Sequence, residues 1–444
     1  MAINEKIAAF LGKYGMYMHA PDVLSTTDSL LYDMQLGLDA NPGPDFLQSS
    51  HEMIPTWANP PKDVPKNESV IVIDAGGTNF RSCLVSFDAE GIASISNLEK
   101  CAMPGIEREY SKQEFFDTIA ANLDHLKGMS NRIGFCFSYA MKITPDGDGE
   151  VISFSKEIKA PQVIGELVGA NLCDALVKRG WTRPEKVVLL NDTVAALLAG
   201  ASTATGGLRY SSYVGLILGT GMNTAYIESN PIKKIANSER IAPESQIVVC
   251  ESGLFDKLPQ SVFDMEFDKT TNTPNRYVME KMCSGAYLGA VASLAVKQAC
   301  KDGLFTKSAA EALLNIEGFT LFDMDRFFYT PYSNKTVLGS AISKGTQDDY
   351  DLLFGILDAF VDRCARLTAA IICAAVLKSG KGRSPALPVS VLCEGTTFYK
   401  THGLKSRIHG YLHSELTQKR GCYFEIVTLD NAITLGAAVA GISV

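Results

Sequence analysis

Two glycine-containing turns, each directly after an apolar strand, constrain the fold of this chain more than any other feature. The first lies in residues 71–81 (IVIDAGGTNFR) and the second in residues 214–223 (VGLILGTGMN). Adjacent glycines permit positive φ angles and let backbone N–H groups approach an anion. Between the two turns, residues 187–193 (VVLLNDT) predict a buried strand that ends in an amide, Asn191, and a carboxylate, Asp192. Two phosphate-type turns with an acid between them indicate phosphoryl transfer from a nucleotide to a small acceptor.

Apolar strands alternate with helical segments along most of the chain, which predicts an α/β fold. Ser111 and Glu114 form a capping-box pattern at the start of a helix over residues 111–126. The strand, turn and strand around residue 71 recur about 140 residues later, which indicates two similar α/β units facing each other. The other predicted elements are a helical N-terminal segment that includes 30–38, strands 82–87, 133–138, 213–218 and 389–393, helices 162–180 and 193–199, a long helix from near 351 to 380 and a small-residue helix over 435–440.

Length, net charge and apolar runs limit the number of domains and the kinds of partner that this chain can have. At 444 residues, the chain is long enough for two or three domains. Its net charge of −8 argues against nucleic acid or an anionic membrane as the main partner. The longest apolar run, residues 367–377, is too short to span a bilayer, and the N-terminus lacks the pattern of a signal peptide.

The cysteines and histidines show no pattern of metal ligands. Eleven cysteines without a CxxC pair favour free thiols in a reducing compartment, and the six histidines have no metal-ligand spacing. We therefore expect a cytoplasmic protein without a transition-metal centre.

The first glycine turn contains the groups that a nucleotide phosphate requires. Asp74 could orient Mg²⁺ through water, because Mg²⁺ keeps much of its hydration. The alternative is a hairpin turn in which the glycines serve geometry alone. The candidate phosphate donors are backbone N–H groups and side chains of Gly76, Gly77, Thr78, Asn79 and Arg81.

Asp192 has two interpretations, which can hold together. It can be the N-cap of the helix that begins at Thr193. It can also be a general base at the carboxyl end of a strand, where α/β proteins place ligands. Lys156, Glu251 and Glu280, each taken alone, are typical of structural or surface positions and gain meaning only as a set.

Together and in order, these segments resemble the hexokinase family, within the wider actin-like ATPase and sugar-kinase fold. The resemblance runs from residues 53–56 (MIPT) to 436–438 (GAA) and implies two ribonuclease-H-like lobes with a cleft between them. We expect a helical segment over 1–65 that packs on the large lobe, a small lobe over 66–190 with the C-terminal helix 432–444, and a large lobe over 191–431. The segments that carry the resemblance are DAGGTNFR at 74–81, VLLNDTV at 188–194, LGTGMN at 218–223, EKMCSGAYLG at 280–289, EGT at 394–396 and YK at 399–400.

The resemblance also implies a reaction and its residues. The reaction would be ATP-dependent phosphorylation of the 6-hydroxyl of a hexose, most simply glucose, with mannose and fructose as alternatives, feeding glycolysis. Asp192 would take the proton from that hydroxyl, Lys156 would be a second catalytic residue, and Asp74 and Asp192 would hold Mg²⁺. The sugar ligands would be Ser138, Ser155, Lys156, Asn191, Asp192, Asn223, Glu251 and Glu280. The nucleotide contacts would be Asp74, Gly76, Gly77, Thr78, Asn79, Arg81, Gly219, Thr220, Gly221, Gly395 and Thr396.

The sequence departs from the family pattern beside the expected sugar pocket. Ala140 stands where the family usually has proline, Ser155 replaces a threonine, and residues 248–250 (VVC) lack the usual polar and aromatic neighbours of Glu251. These changes bear on hexose preference more than on the type of reaction. Two other classes of function stay open: a sugar-sensing protein with weak catalysis, and an actin-like or chaperone-like ATPase that acts on polypeptide. We expect a monomer or a homodimer.

Overall fold

The computed structural model describes residues 2–39, 48–76, 79–154, 158–202, 207–229, 231–235 and 243–443. The strands in these ranges form two large sheets and one small hairpin. In chain order they are β1 Ile54–Pro55, β2 Glu68–Gly76, β3 Asn79–Phe87, β4 Ala93–Ala102, β5 Arg132–Phe137, β6 Ala140–Ile143, β7 Gly149–Ser153, β8 Lys186–Leu190, β9 Ser212–Leu218, β10 Met222–Ser229, β11 Ser245–Val249, β12 Val389–Glu394 and β13 Phe424–Val427.

The two large sheets repeat one strand order. In the sheet β4-β3-β2-β5-β8, the strands β2, β3 and β4 are antiparallel, and β5 and β8 extend the sheet parallel to β2. In the sheet β1-β11-β10-β9-β12-β13, β9, β10 and β11 are antiparallel, β12 and β13 follow parallel to β9, and β1 is added at the edge. Each repeat therefore begins with the predicted strand, glycine turn and strand. The α/β prediction and the internal repeat are confirmed.

The helices pack on the sheets, and most of them belong to the half of the protein that contains the six-stranded sheet. The longest, α12, has 32 residues and packs against β9 and β10, and α1 and α2 also pack against it. None of the helices in the described ranges is long and apolar enough to cross a membrane. In chain order the helices are α1 Ile3–Lys13, α2 Val23–Leu38, α3 Lys112–Ala121, α4 Val168–Lys178, α5 Asp192–Ser202, α6 Val262–Asp268, α7 Val278–Cys283, α8 Leu288–Lys301, α9 Lys307–Leu314, α10 Leu321–Tyr329, α11 Val337–Ile342, α12 Gln347–Lys378, α13 Thr396–Lys400, α14 Leu404–Leu412 and α15 Ala432–Ile442.

Three helix boundaries differ from the sequence-based prediction, each for a local reason. The long helix begins before residue 351, because Thr346 and Asp349 form a capping box. The helix predicted from residue 162 begins only with α4, since Gly165, with φ near 83°, interrupts the segment after a short 3₁₀ turn. The capping box at Ser111 is confirmed, but α3 ends at Ala121 and a separate 3₁₀ turn follows.

The C-terminal helix α15 lies between α5 and the five-stranded sheet, and glycines allow both contacts. A Cβ atom at Gly436 would lie 1.8 Å from the carbonyl oxygen of Ala195 in α5. On the sheet side, a Cβ atom at Gly134 of β5 would lie 1.9 Å from the carbonyl oxygen of Ala437. No side chain fits at either position. The prediction of a small-residue helix that packs closely on its neighbours is confirmed.

Candidate active site

One cavity of about 470 Å³ is lined by residues from both large sheets and collects most of the predicted sugar ligands. Ser155 and Lys156, which we predict beside them, lie outside the described residues. The predicted ligands that line the cavity are Ser138, Asn191, Asp192, Asn223, Glu251 and Glu280.

Three parallel strands of the five-stranded sheet bring one side of the cavity together. Ser138 follows β5, and Asn191 and Asp192 follow β8. The backbone N–H of Ser138 donates to the carbonyl oxygen of Ala75 in β2 over 3.0 Å. Because the carboxyl ends of parallel strands meet at one edge of a sheet, the first glycine turn, Ser138 and Asp192 are neighbours. A Cβ atom at Gly76 would lie 3.0 Å from the Ser138 hydroxyl.

Asn191, and not Asp192, caps helix α5. The Oδ1 atom of Asn191 accepts from the backbone N–H of Val194 over 2.8 Å, and Asp192 is the first residue of the helix. The interpretation of Asp192 as an N-cap is therefore wrong, because the residue before it already occupies that position. The Asp192 carboxylate accepts instead from the hydroxyl of Thr193 over 3.2 Å and lines the cavity. Within the part of the chain that the structure describes, the amide hydrogens of Asn191 have no partner and can serve a ligand.

Burial and a neighbouring charge make Asp192 more basic than an ordinary aspartate. Loss of water contact raises its pKa, the negative charge of Asp74 raises it further, and the hydrogen bond from Thr193 opposes both. The pKa of Asp74 is itself raised by burial, although the Arg81 guanidinium, 3.3 Å away, acts to lower it. A raised pKa makes Asp192 a stronger proton acceptor than a solvated carboxylate.

The six-stranded sheet supplies the opposite side of the cavity. Asn223 lies on β10 and donates from Nδ2 to Oε1 of Glu251 over 2.7 Å. Its own Oδ1 accepts from the backbone N–H of Thr224, so the orientation of the amide is fixed. Glu280, on α7, accepts from the backbone N–H of Met222 over 2.9 Å. These bonds hold two carboxylates and an amide in fixed directions before any ligand binds.

The carboxyl group of Glu251 has a strongly raised pKa. Burial raises its pKa to about 7, and the negative charges of Glu52, Asp192 and Glu280 act in the same direction, while the bond from Asn223 opposes them. Near neutral pH this carboxyl group exists in both the protonated and the ionised form, so it can donate or accept a hydrogen bond. A sugar hydroxyl is also both donor and acceptor, and matches such a group.

The second glycine turn is fixed by contacts with Gly285 and with the segment around the start of α13. The carbonyl oxygen of Gly219 accepts from the hydroxyl of Thr397 and from the backbone N–H of Gly285, each over 2.8 Å. Gly395 has φ of 116°, and a Cβ atom there would lie 2.3 Å from the carbonyl oxygen of Leu218. The loop before α13 therefore lies directly against this turn. Thr220 and Thr396 are exposed at the contact, whereas the neighbouring Thr397 is buried and structural.

The first glycine turn is described only in part. Gly77 and Thr78 lie outside the described residues. Asn79 and Arg81 are exposed on β3, and Asp74 is partly buried on β2. These residues do not line the cavity but follow the same edge of the sheet, next to Ser138.

Within the described ranges, no group of three or more histidine, cysteine, aspartate or glutamate side chains could hold a metal ion. Asp74 and Asp192 lie close enough for the charge of one to shift the pKa of the other. Two carboxylates fit Mg²⁺, which in phosphoryl-transfer sites takes most of its other ligands from water and phosphate.

Several residues of the cavity were not predicted from the sequence, among them a glutamate and two aromatic residues. Glu52, Trp57 and Tyr277 all line it. Trp57 and Tyr277 have positive φ angles, near 59° and 56°, which sequence patterns do not reveal for these residue types. Glu52 and Trp57 flank β1, and a two-residue strand is too short to show an alternating pattern. Of these residues, Glu52 alone has a signal in the sequence, because it directly precedes the MIPT segment.

Comparison with known proteins assigns the family. A model described as hexokinase matches residues 213–443, and a second model of the same description matches residues 13–202. The chain belongs to the hexokinase family. Hexokinase-1 of Schizosaccharomyces pombe is 26% identical over 431 residues, which cover 93% of this chain and 86% of that relative. The hexokinase-like 1 protein of Arabidopsis thaliana is also 26% identical, over 84% of this chain and 74% of its own length.

Solved hexokinase structures share the fold. A hexokinase from Schistosoma mansoni complexed with glucose matches 99% of this chain and 98% of its own length, with a TM-score of 0.75 and 22% identity. Another crystal structure of a hexokinase matches the same shares with a TM-score of 0.79 and 19% identity. The prediction of two actin-like ATPase lobes is confirmed, as is the assignment to the hexokinase type of phosphotransferase.

Proposed function

We propose that this hexokinase-family protein transfers the γ-phosphoryl group of ATP to the 6-hydroxyl of a hexose, with glucose as the first substrate to test. One observation carries the proposal. A single cavity places Asp192, at the end of one sheet, opposite Asn223, Glu251 and Glu280 from the other sheet. Such a ring of amides and carboxylates suits a polyol, and its volume of about 470 Å³ is in the range of small-molecule sites.

Asp192 is the residue best placed to act as the general base. Its carboxylate lines the cavity and has a raised pKa, and Asn191 rather than Asp192 caps its helix. As the sugar oxygen attacks phosphorus, Asp192 takes the hydroxyl proton. Asn223, Glu251 and Glu280 hold the ring hydroxyls and thereby direct one hydroxyl toward the phosphate.

The two glycine turns would hold the nucleotide. Arg81 and the first turn follow β2 on the same side as Ser138, while Thr220 and Thr396 are exposed where the second turn meets the loop before α13. Asp74 and Asp192 are the carboxylates that would hold Mg²⁺, which when bound neutralises charge on the phosphate oxygens. Arg81 supplies a fixed positive charge for the same oxygens.

Several finer points stay predictions of the family resemblance. They are the preferred hexose, the catalytic role of Lys156, the lobe boundaries at 66–190 and 191–431, a monomeric or homodimeric state, and a cytoplasmic role in glycolysis.

A coupled assay for glucose 6-phosphate, run with ATP, Mg²⁺ and several hexoses, tests the proposal. Sugar-dependent turnover supports it and ranks the substrates. Sugar binding without turnover would contradict it and favour the sugar-sensing alternative. ATP hydrolysis that is indifferent to sugars but stimulated by peptide would favour a chaperone-like ATPase.

A further inference from the structure

A buried carboxylate outside the cavity accepts hydrogen bonds from two other segments of the chain. Asp33, on α2, has no solvent exposure. It accepts from the backbone and hydroxyl of Ser50, from the hydroxyl of Ser49, from the backbone N–H of His51 and from Nδ1 of His51 at 2.6 Å. The ammonium group of Lys257 also donates to it. Burial acts to raise the pKa of Asp33, but the bonds from His51 and Lys257 hold it well below the usual range.

The residues that bond Asp33 are connected to all three glutamates of the cavity. Glu52 directly follows His51, and the next residue, Met53, donates its backbone N–H to the carbonyl oxygen of Cys250. Cys250 directly precedes Glu251. The segment that lines the cavity at Glu52 and the segment that carries Glu251 are therefore joined next to the Asp33 cluster.

A second connection reaches Glu280. The imidazole of His51 stacks on Phe255, with ring centroids 5.3 Å apart and planes inclined by 28°. The carbonyl oxygen of Phe255 accepts from the backbone N–H of Met279, which directly precedes Glu280. Lys257, two residues after Phe255, also donates to the carbonyl oxygen of Gln48. The ring of His51 thus lies between Asp33 and Phe255, and Phe255 is bonded to the helix that carries Glu280.

We propose that Asp33, together with His51 and Lys257, is a positioning unit for the sugar-binding glutamates. Asp33 does not line the cavity. It acts through the backbone on either side of Glu52, through Cys250 before Glu251, and through Phe255, whose carbonyl oxygen bonds to α7. The buried charge matters because the Lys257 ammonium group and the N–H donors of Ser50 and His51 share its two oxygens, and an amide in its place leaves a single, uncharged acceptor oxygen for them. This inference rests on the proposed sugar site.

Asp33→Asn tests the role, because it preserves the size of the side chain while removing its charge. The matched control is Asp349→Asn, since Asp349 is equally buried but accepts from Thr306 and Thr346 at the start of α12. We expect the Kd for glucose, measured by calorimetry, to rise roughly tenfold or more in Asp33→Asn. In turnover assays the KM for glucose rises in step, while kcat and the KM for ATP stay within about twofold of the wild type. The control loses stability without this change.

The outcome that overturns the proposal is an unchanged Kd for glucose in folded Asp33→Asn, or an equal rise in Asp349→Asn. If Asp33→Asn does not fold, His51→Phe takes its place, because it preserves the ring stack on Phe255 but removes the bond to Asp33. An unchanged Kd for glucose in that variant likewise contradicts the proposal. Calorimetry separates this test from the proposed reaction, since a wild type that binds glucose without turnover refutes the kinase function alone.

Discussion

The side-chain amide of Asn223 donates to the carboxyl group of Glu251, with 2.7 Å between Nδ2 and Oε1. This bond favours the ionised form of Glu251, yet burial and the charge of Glu52 outweigh it and raise the pKa to about 7. The bond from Asn223 thus holds the carboxyl group in place for a ligand, although keeping that group ionised destabilises the ligand-free protein.

Glu251→Gln should remove a pH-dependent loss of stability. The pKa of Glu251 rises from 4.5 to about 7 on folding. The stability that the protonated group contributes to the folded state is therefore fully present below pH 4.5 and is lost as the pH rises through about 7. Without sugar, we expect the variant to exceed the wild type by ~1–3 kcal/mol in free energy of unfolding at about pH 8. At about pH 4.5 the two should agree.

Thermal and denaturant unfolding of both proteins over this pH range provides the check. Glu90→Gln, at an exposed turn, is the control for the loss of a carboxylate. A stability gap between Glu251→Gln and the wild type that does not change with pH would show that Glu251 is not held at a raised pKa.

Arg81→Ala should weaken the use of ATP more than it weakens sugar binding. Arg81 is exposed beside the first glycine turn and pairs with Asp74, away from the cavity that would hold the sugar. We expect the KM for ATP to rise roughly tenfold, because a charge-assisted contact to phosphate is lost. The Kd for glucose without nucleotide should stay near that of the wild type. Arg183→Ala, at another exposed ion pair, is the control. Equal losses in ATP use and glucose binding would mean that Arg81 is structural.

Gly436→Ala should destabilise the protein through the contact between α15 and α5. The added methyl group would lie 1.8 Å from the carbonyl oxygen of Ala195, so the two helices must separate. We expect a loss of ~1–3 kcal/mol. Gly410→Ala is the matched control within a helix, since a Cβ atom there meets nothing within 4 Å, and it should stabilise α14 by ~0.5–1 kcal/mol. Comparable effects of the two variants in denaturant unfolding would contradict the close packing of α15.

Much of the fold could be predicted because its signals are local. The apolar runs before Asp74, Asn191 and Gly219 are strands in the structure, and the repeated strand, turn and strand is the start of each sheet. Ser138 and Asp192 could be predicted at one edge, because both follow parallel strands.

Of the remaining features, one depends on local geometry and the others depend on contacts between residues far apart in the sequence. Whether Asn191 or Asp192 caps α5 is decided by which side chain reaches the N–H of Val194, and adjacent Asn and Asp are equally suited. Glu52 reaches the cavity because β1 pairs with β11, nearly 200 residues away along the chain. The Asp33 cluster likewise joins α2 to Lys257, and no periodicity marks such a pair.

The most direct measurement is the rate of glucose 6-phosphate formation by Asp192→Asn beside the wild type, with the glucose affinity of both proteins determined by calorimetry. The amide preserves the shape and polarity of the side chain but cannot accept the hydroxyl proton. The account predicts that kcat falls by about 100- to 10,000-fold while the Kd for glucose changes by less than about tenfold. Turnover near that of the wild type, with glucose bound normally, would contradict the assignment of Asp192 as the general base.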